Sequence, residues 1–234
     1  MTSKTAATQT LTTAASQRQK PCLADRVTKS LLGYGVLAGA VFEPSILIQG
    51  LTRHGFSIAH DDASLLSNGP LGWIQIVTFL LAGAMTIAFA VGARRALAGR
   101  VGGKWGPRLI WLYGAGLMAA GLLRAGPADG FGPGAPVGKA VHLSWHGDGH
   151  LISASIGFIA LIAACFVIAR YFSRDGRRGM AIYSRITGVV FGAGFAGVTT
   201  GSSSSAIVLP FYAAVLAAFT WIAIVAVNLY RRVA

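Results

Sequence analysis

Residues 71–95 read LGWIQIVTFLLAGAMTIAFAVGARR, and the reading of the chain turns on this stretch. From Leu71 to Ala93 it contains no Asp, Glu, Lys or Arg. At 1.5 Å per residue it is long enough to cross the ~30 Å hydrocarbon core of a bilayer. The apolar residues run continuously instead of alternating at period two, which excludes a barrel strand. The run stops on Arg94-Arg95, and paired basic residues at the end of a span mark its cytosolic side.

Five further stretches qualify on either side of it: 31–51, 107–125, 150–171, 182–200 and 206–230. The sequence therefore predicts an all-α, polytopic membrane helix bundle of six transmembrane helices over 30–234. It is preceded by a polar, basic tail over 1–29 that is read as disordered and cytosolic. Composition agrees: 54% of the 234 residues are hydrophobic and 12% charged, against roughly 25% charged in a soluble domain.

The few charges are unevenly placed. With the N-terminus inside, 17 of the 20 Lys and Arg fall on the cytosolic side, and only Arg53, Arg124 and Lys139 fall outside. The alternation holds at every loop, so the chain is read as N-in/C-in in the plasma membrane of a bacterium. A net charge of +13 would suggest nucleic acid on a soluble protein. Here topology accounts for it, and the expected partners are the bilayer and anionic lipids at the cytosolic face. Cys22 and Cys165 both fall on the reducing side, and no disulfide is expected.

Glycine is the second compositional signal, with 31 residues. Gly114, Gly116 and Gly121 lie in the third span and Gly188, Gly192, Gly194 and Gly197 in the fifth. In lipid, small residues let helix backbones approach. These two spans are read as the tightly packed centre of the bundle, or alternatively as the face of a homo-oligomer.

All five histidines, His54, His60, His142, His146 and His150, fall on the outer side with four of the seven acids. His142, His146 and His150 are spaced by four, one helical stripe, so adjacent pairs can chelate a divalent metal, with Asp148 off the stripe. They serve equally as interfacial caps beside Trp145. The long outer segment 52–70 holds His60, Asp61 and Ser64, which supply metal ligands or an acid/base pair with a hydroxyl, or else start a helix. Trp73 and Gln75 open the span below. Glu43, followed by Pro44, is an acid inside the first span at a helix break; Arg124 is its natural partner. The Gly/Pro-rich segment around Asp129 reads as a lid.

The motifs Tyr34-Gly-Val-Leu-Ala-Gly39, Ser64-Leu-Leu-Ser67, Gly69-Pro-Leu-Gly-Trp73-Ile-Gln75, Asp129-Gly-Phe-Gly-Pro-Gly-Ala-Pro136, His146 with Gly149-His150-Leu, and Tyr183-Ser-Arg185-Ile-Thr-Gly188 belong together. In combination they resemble the bacterial domain of unknown function 998 family of integral membrane proteins. The resemblance implies a six-helix membrane domain and brings no activity, cofactor or site residue with it.

Three functional readings follow. The first is an integral membrane protein whose extracytoplasmic face binds a metal ion or polar ligand among Glu43, Asp61, Ser64, Asp129 and the histidines. The second is an intramembrane metal-dependent lipid hydrolase, with His146, His150 and Asp61 as ligands and Ser64 nearby. The third is a small transporter, or a b-type haem protein with His54 or His60 opposite His146.

Overall fold

The computed structural model describes residues 23–136, 138 and 144–233. It contains six long helices: α1 (Leu23–Thr52), α2 (Gly72–Ala96), α3 (Trp105–Leu122), α4 (Trp145–Arg174), α5 (Arg178–Val198) and α6 (Ser205–Tyr230). A 3-10 turn, Ala63–Ser67, lies between α1 and α2. Among the described residues there is no strand, only an isolated bridge between Ala128 and Phe131. Five of the six helices are long and apolar enough to cross a membrane. The exception is α3, whose 18 residues reach ~27 Å and are diluted by Arg108 and several glycines.

Helix α1 starts at Leu23, well before residue 31, so part of the expected tail is helical. The polar residues 23–30 are compatible with a helix: Asp25 sits in the first turn, where the helix dipole favours an acid, and Thr28 Oγ1 donates to the Ala24 carbonyl (2.8 Å). Thirty residues span ~45 Å, longer than a ~30 Å hydrocarbon core needs. The rest of the tail, with Cys22, lies outside the described residues. Helix α4 likewise starts early, at Trp145, where the Ser144 hydroxyl caps it by accepting from Gly147 N (3.3 Å).

Each helix packs against its neighbours in the chain, and α6 returns to pack on α1, so the six close into a ring. This corrects the expectation that the third and fifth spans form a packed centre. Helices α3 and α5 share no packed interface, and no helix occupies the middle. The glycines serve the seams of the ring instead. A Cβ on Gly114 would meet the Gly83 carbonyl oxygen at 2.8 Å, and one on Gly116 would meet the Ser153 carbonyl oxygen at 2.8 Å and Gly157 Cα at 2.9 Å, so α3 lies backbone-close to both α2 and α4. Lipid offers helices no apolar driving force, and such close approach is what holds them together. Helix α5 is close-packed at Gly188 and Gly194 but looser between them, where a Cβ on Gly192 would find only Ile162, at 3.7 Å.

Large apolar side chains point outward around the ring, among them Leu47, Val77, Trp111, Ile159, Val189 and Leu216. In water this would be an extensive exposed patch; against hydrocarbon it is the ordinary exterior. Aromatic side chains fill much of the interior, with Phe42 near Phe219 (4.7 Å between centroids) and Phe158 edge-on to Phe191, Phe195 and Phe211.

Successive helices alternate in direction, so the connections separate into two ends. At one end Asp175 pairs with Arg232 (2.5 Å) and Arg100 (3.5 Å), Arg232 donates to Tyr171 Oη (2.9 Å), and Lys29 sits over the Tyr230 ring (5.7 Å). This basic end gathers the start of α1, the links α2–α3 and α4–α5, and the end of α6.

Candidate functional site

The opposite end is closed by a cap to which all three remaining links contribute. Arg53, just past α1, donates to the Leu66 carbonyl (2.5 Å) and the Asn68 carbonyl (2.5 Å), which fixes the 3-10 turn over the ring. Its guanidinium also lies over the Phe131 ring (5.0 Å), and Phe56 meets that ring edge-on (5.2 Å). Partial burial lowers the Arg53 pKa from its ordinary value. The third link joins through Ser203, whose hydroxyl donates to Asp129 Oδ1 (2.8 Å) and whose carbonyl accepts from His60 Nδ1 (2.9 Å). Asp129 adopts a left-handed backbone (φ +52°), a conformation Asp tolerates better than most residues.

Below the cap is a cavity of about 170 Å³. Every helix of the ring lines it: Phe42 and Ile46 from α1, Phe79 from α2, Tyr113 and Leu117 from α3, His150, Ser155 and Phe158 from α4, Phe195 and Thr199 from α5, and Phe211 and Tyr212 from α6. Asp62, Ala63 and Ser64 of the 3-10 turn complete it from the cap. The wall is mainly apolar and aromatic, and most of its polar groups stand near the capped end.

His150 is the best-defined polar group. It is buried, and its Nδ1 lies 2.7 Å from the Ala120 carbonyl oxygen. A carbonyl only accepts, so Nδ1 carries the proton, and Nε2 is the remaining acceptor of the neutral ring. The contact has a local cause. The backbone ladder of α3 ends with Leu123 N on the Ala119 carbonyl, and the chain then turns at Arg124 (φ +20°), leaving the next carbonyl, Ala120, to a side chain.

The other anticipated residues divide clearly. Ser64 lines the cavity. Asp61 is buried but turned into the cap, where Oδ2 accepts from Ser57 N (2.7 Å) and its carbonyl accepts from Tyr212 Oη (3.0 Å). Gln75 is buried between α1 and α2, its Oε1 accepting from Gln49 Nε2 (2.8 Å). Trp73 is exposed on the outer face of α2. Asp129 and His60 are cap residues, and His54 is exposed.

His146 is exposed and stacked on Trp145 (3.5 Å), while His150 is buried on Ala120, so the two imidazoles are engaged separately. His142 lies outside the described residues. Among the described residues no three of His, Cys, Asp and Glu stand close enough together to hold a metal ion.

The pairing of Glu43 with Arg124 is also corrected. Helices α1 and α3 are separated around the ring by α2, and Arg124 is exposed at the end of α3. Glu43 instead lies in a lateral groove between α1 and α6 with Gly39, Ala40, Thr220 and Ala223, and its Oε1 is buried without a hydrogen-bond partner.

Sequence reasoning missed Asp62, Tyr113, Ser155, Thr199 and Tyr212. Tyr212 carried a usable signal, being a hydroxyl-bearing ring two residues after Pro210 near the start of an otherwise apolar span. Asp62 is legible only as one of the outer-side acids, because the order of two adjacent acids does not say which one lines the cavity.

No curated protein matches the chain, and no solved structure matches it. A family match covers residues 36–228, running from α1 to α6 and through every element that lines the cavity, so the chain belongs to the family described as "Protein of unknown function (DUF998)".

Proposed function

We propose that the protein binds an amphipathic ligand in the capped cavity, its apolar part among Phe42, Phe79, Phe158 and Phe211 and its polar part against His150, Asp62 and Ser64. The observation that carries this reading is a capped, mainly aromatic cavity walled by all six helices, with most of its polar groups at the capped end. An apolar cavity of roughly 150 Å³ stays dry and takes up an apolar guest. A few placed polar groups in such a wall then fix the orientation of the guest.

In this reading the six helices all span a bacterial plasma membrane, N-in/C-in, with the cap on the outer face. The 17 basic residues at the cytosolic end attract anionic headgroups. Labelling Ser202→Cys in a Cys22→Ser background with a membrane-impermeant maleimide in intact cells tests the orientation: labelling is expected, and protection until lysis reverses it.

Native mass spectrometry of detergent-purified protein tests the binding. The wild type is expected to retain an amphiphile that Ser155→Trp, which fills the cavity, loses. Equal retention by both proteins refutes the cavity as its seat.

A further inference from the structure

We propose that the ligand is a membrane lipid, and that one of its acyl chains reaches the cavity sideways, from the leaflet on the capped side, through the seam between α4 and α5. This rests on the cavity being a ligand site.

The argument goes seam by seam. In the capped half of the ring, α1 and α2 are joined by Gln49 on Gln75, and α2 and α3 by Gly121, where a Cβ would meet Phe79 at 2.8 Å. Helices α3 and α4 close on Gly116 and Gly157, and α5 and α6 at Gly194, where a Cβ would meet Ala214 at 3.0 Å. Helices α1 and α6 meet lower down, at Gly39, where a Cβ would meet Phe219 at 3.2 Å, and the lateral groove beside Glu43 on that seam shares no lining residue with the cavity.

The α4–α5 seam behaves differently along its length. Toward the basic end it is tight, with a Cβ on Gly188 meeting Cys165 at 3.0 Å. One turn toward the cap, Gly192 has only Ile162 at 3.7 Å. Beyond that point Leu151 and Ser155 of α4 and Val198 and Thr199 of α5 all line the cavity.

Leu151 is 53% exposed and Thr199 is exposed, so these two residues belong to the cavity and to the outer surface at once. The surface beside this mouth on α4 is apolar, continued by Ile152 (60% exposed). Hydrocarbon covers such faces, so the mouth opens onto acyl chains. The axial route is roofed by the cap, tied through Ser203 to His60 and Asp129. A space of about 170 Å³ holds part of one chain, with that chain's ester linkage as the polar part beside His150, Asp62 and Ser64, and the open seam lets the headgroup and second chain stay in the bilayer.

The test uses the full chain in phosphatidylcholine vesicles containing a phosphatidylcholine with a photoactivatable diazirine at the end of one acyl chain. Leu151→Cys and Val198→Cys are introduced together and joined by a short, reducible bifunctional thiol reagent. With the seam unlinked, label is expected on peptides carrying Phe158 and Phe211. Linking is expected to lower that label at least tenfold, and reduction to restore it.

Label unchanged by linking overturns lateral admission while leaving the cavity as a ligand site. No cavity label in the unlinked protein overturns both. Should the double variant fail to assemble, Leu151→Trp plugs the same mouth and is read by the same criteria.

Discussion

Replacing His150 separates its two nitrogens. Nδ1 supplies the partner that the backbone of α3 does not give to Ala120 O, and Nε2 is the acceptor left for the cavity. In His150→Leu the volume changes little but the buried carbonyl is orphaned, which costs about 1–3 kcal/mol. At ~2 kcal/mol the unfolding equilibrium shifts about 30-fold.

Asn places its amide nitrogen, a donor, where Nδ1 was, and Gln can place its amide oxygen, an acceptor, near Nε2. His150→Asn is therefore expected to recover about 1 kcal/mol of the loss in Leu, a hydrogen bond's net worth. His150→Gln is expected to remain as unstable as Leu. Ligand retention is expected to run the other way, with Gln above Asn. Equilibrium unfolding in mixed micelles of dodecyl maltoside and dodecyl sulfate reads the first order, and native mass spectrometry the second. Asn as unstable as Leu would refute the assignment of Nδ1 to the end of α3.

The glycine seams are expected to respond unequally. Gly116→Ala forces its Cβ onto backbone atoms of α4 and should destabilise by about 1–3 kcal/mol, less up to ~1 kcal/mol of helix propensity. Gly192→Ala has room and should be neutral or stabilising, in the same micelle titration. In the lateral groove, Glu43→Gln is expected to leave stability unchanged or raised, because the buried Oε1 makes no hydrogen bond. Glu43→Lys is expected to lose about 2.5–3.5 kcal/mol if the position sits deep in hydrocarbon, and a loss below 1 kcal/mol would place it at the interface. At the basic end, Asp175→Asn removes the shared partner of Arg100 and Arg232. Both arginines are partly exposed, so a cost of about 1 kcal/mol or less is expected, shrinking as salt is added.

Much of the fold was legible because hydrocarbon is a demanding solvent. A run such as 71–93 has few alternatives to a membrane helix, and the lone basic residues Arg53 and Arg124 stood out against seventeen others. Contacts between distant parts of the chain were not legible. That α6 packs on α1 depends on the shape of both surfaces, and this ring order is what separates Glu43 from Arg124. Glycine spacing identified α3 as a close-packing helix but did not say that its partners flank it on two sides, with a cavity where the third and fifth spans were expected to pack together. In the candidate site, His150, Ser64 and the cap residues Asp61, Asp129 and His60 were legible as polar groups at one end. Which of them face inward follows from local backbone geometry, such as the turn at Arg124 that leaves Ala120 O to His150.

Ring closure by α6 also has a consequence for biogenesis. Phe211 and Tyr212 belong to α6, and α6 is the element that bridges α5 back to α1. A nascent chain that has inserted only its first five helices holds an open trough facing lipid, with the Asp61 carbonyl awaiting Tyr212. The cavity is therefore complete only once α6 is in place. Chains truncated before residue 205 should be handled by membrane quality control as unassembled protein, since what they lack is a wall of the chamber and not a peripheral appendage.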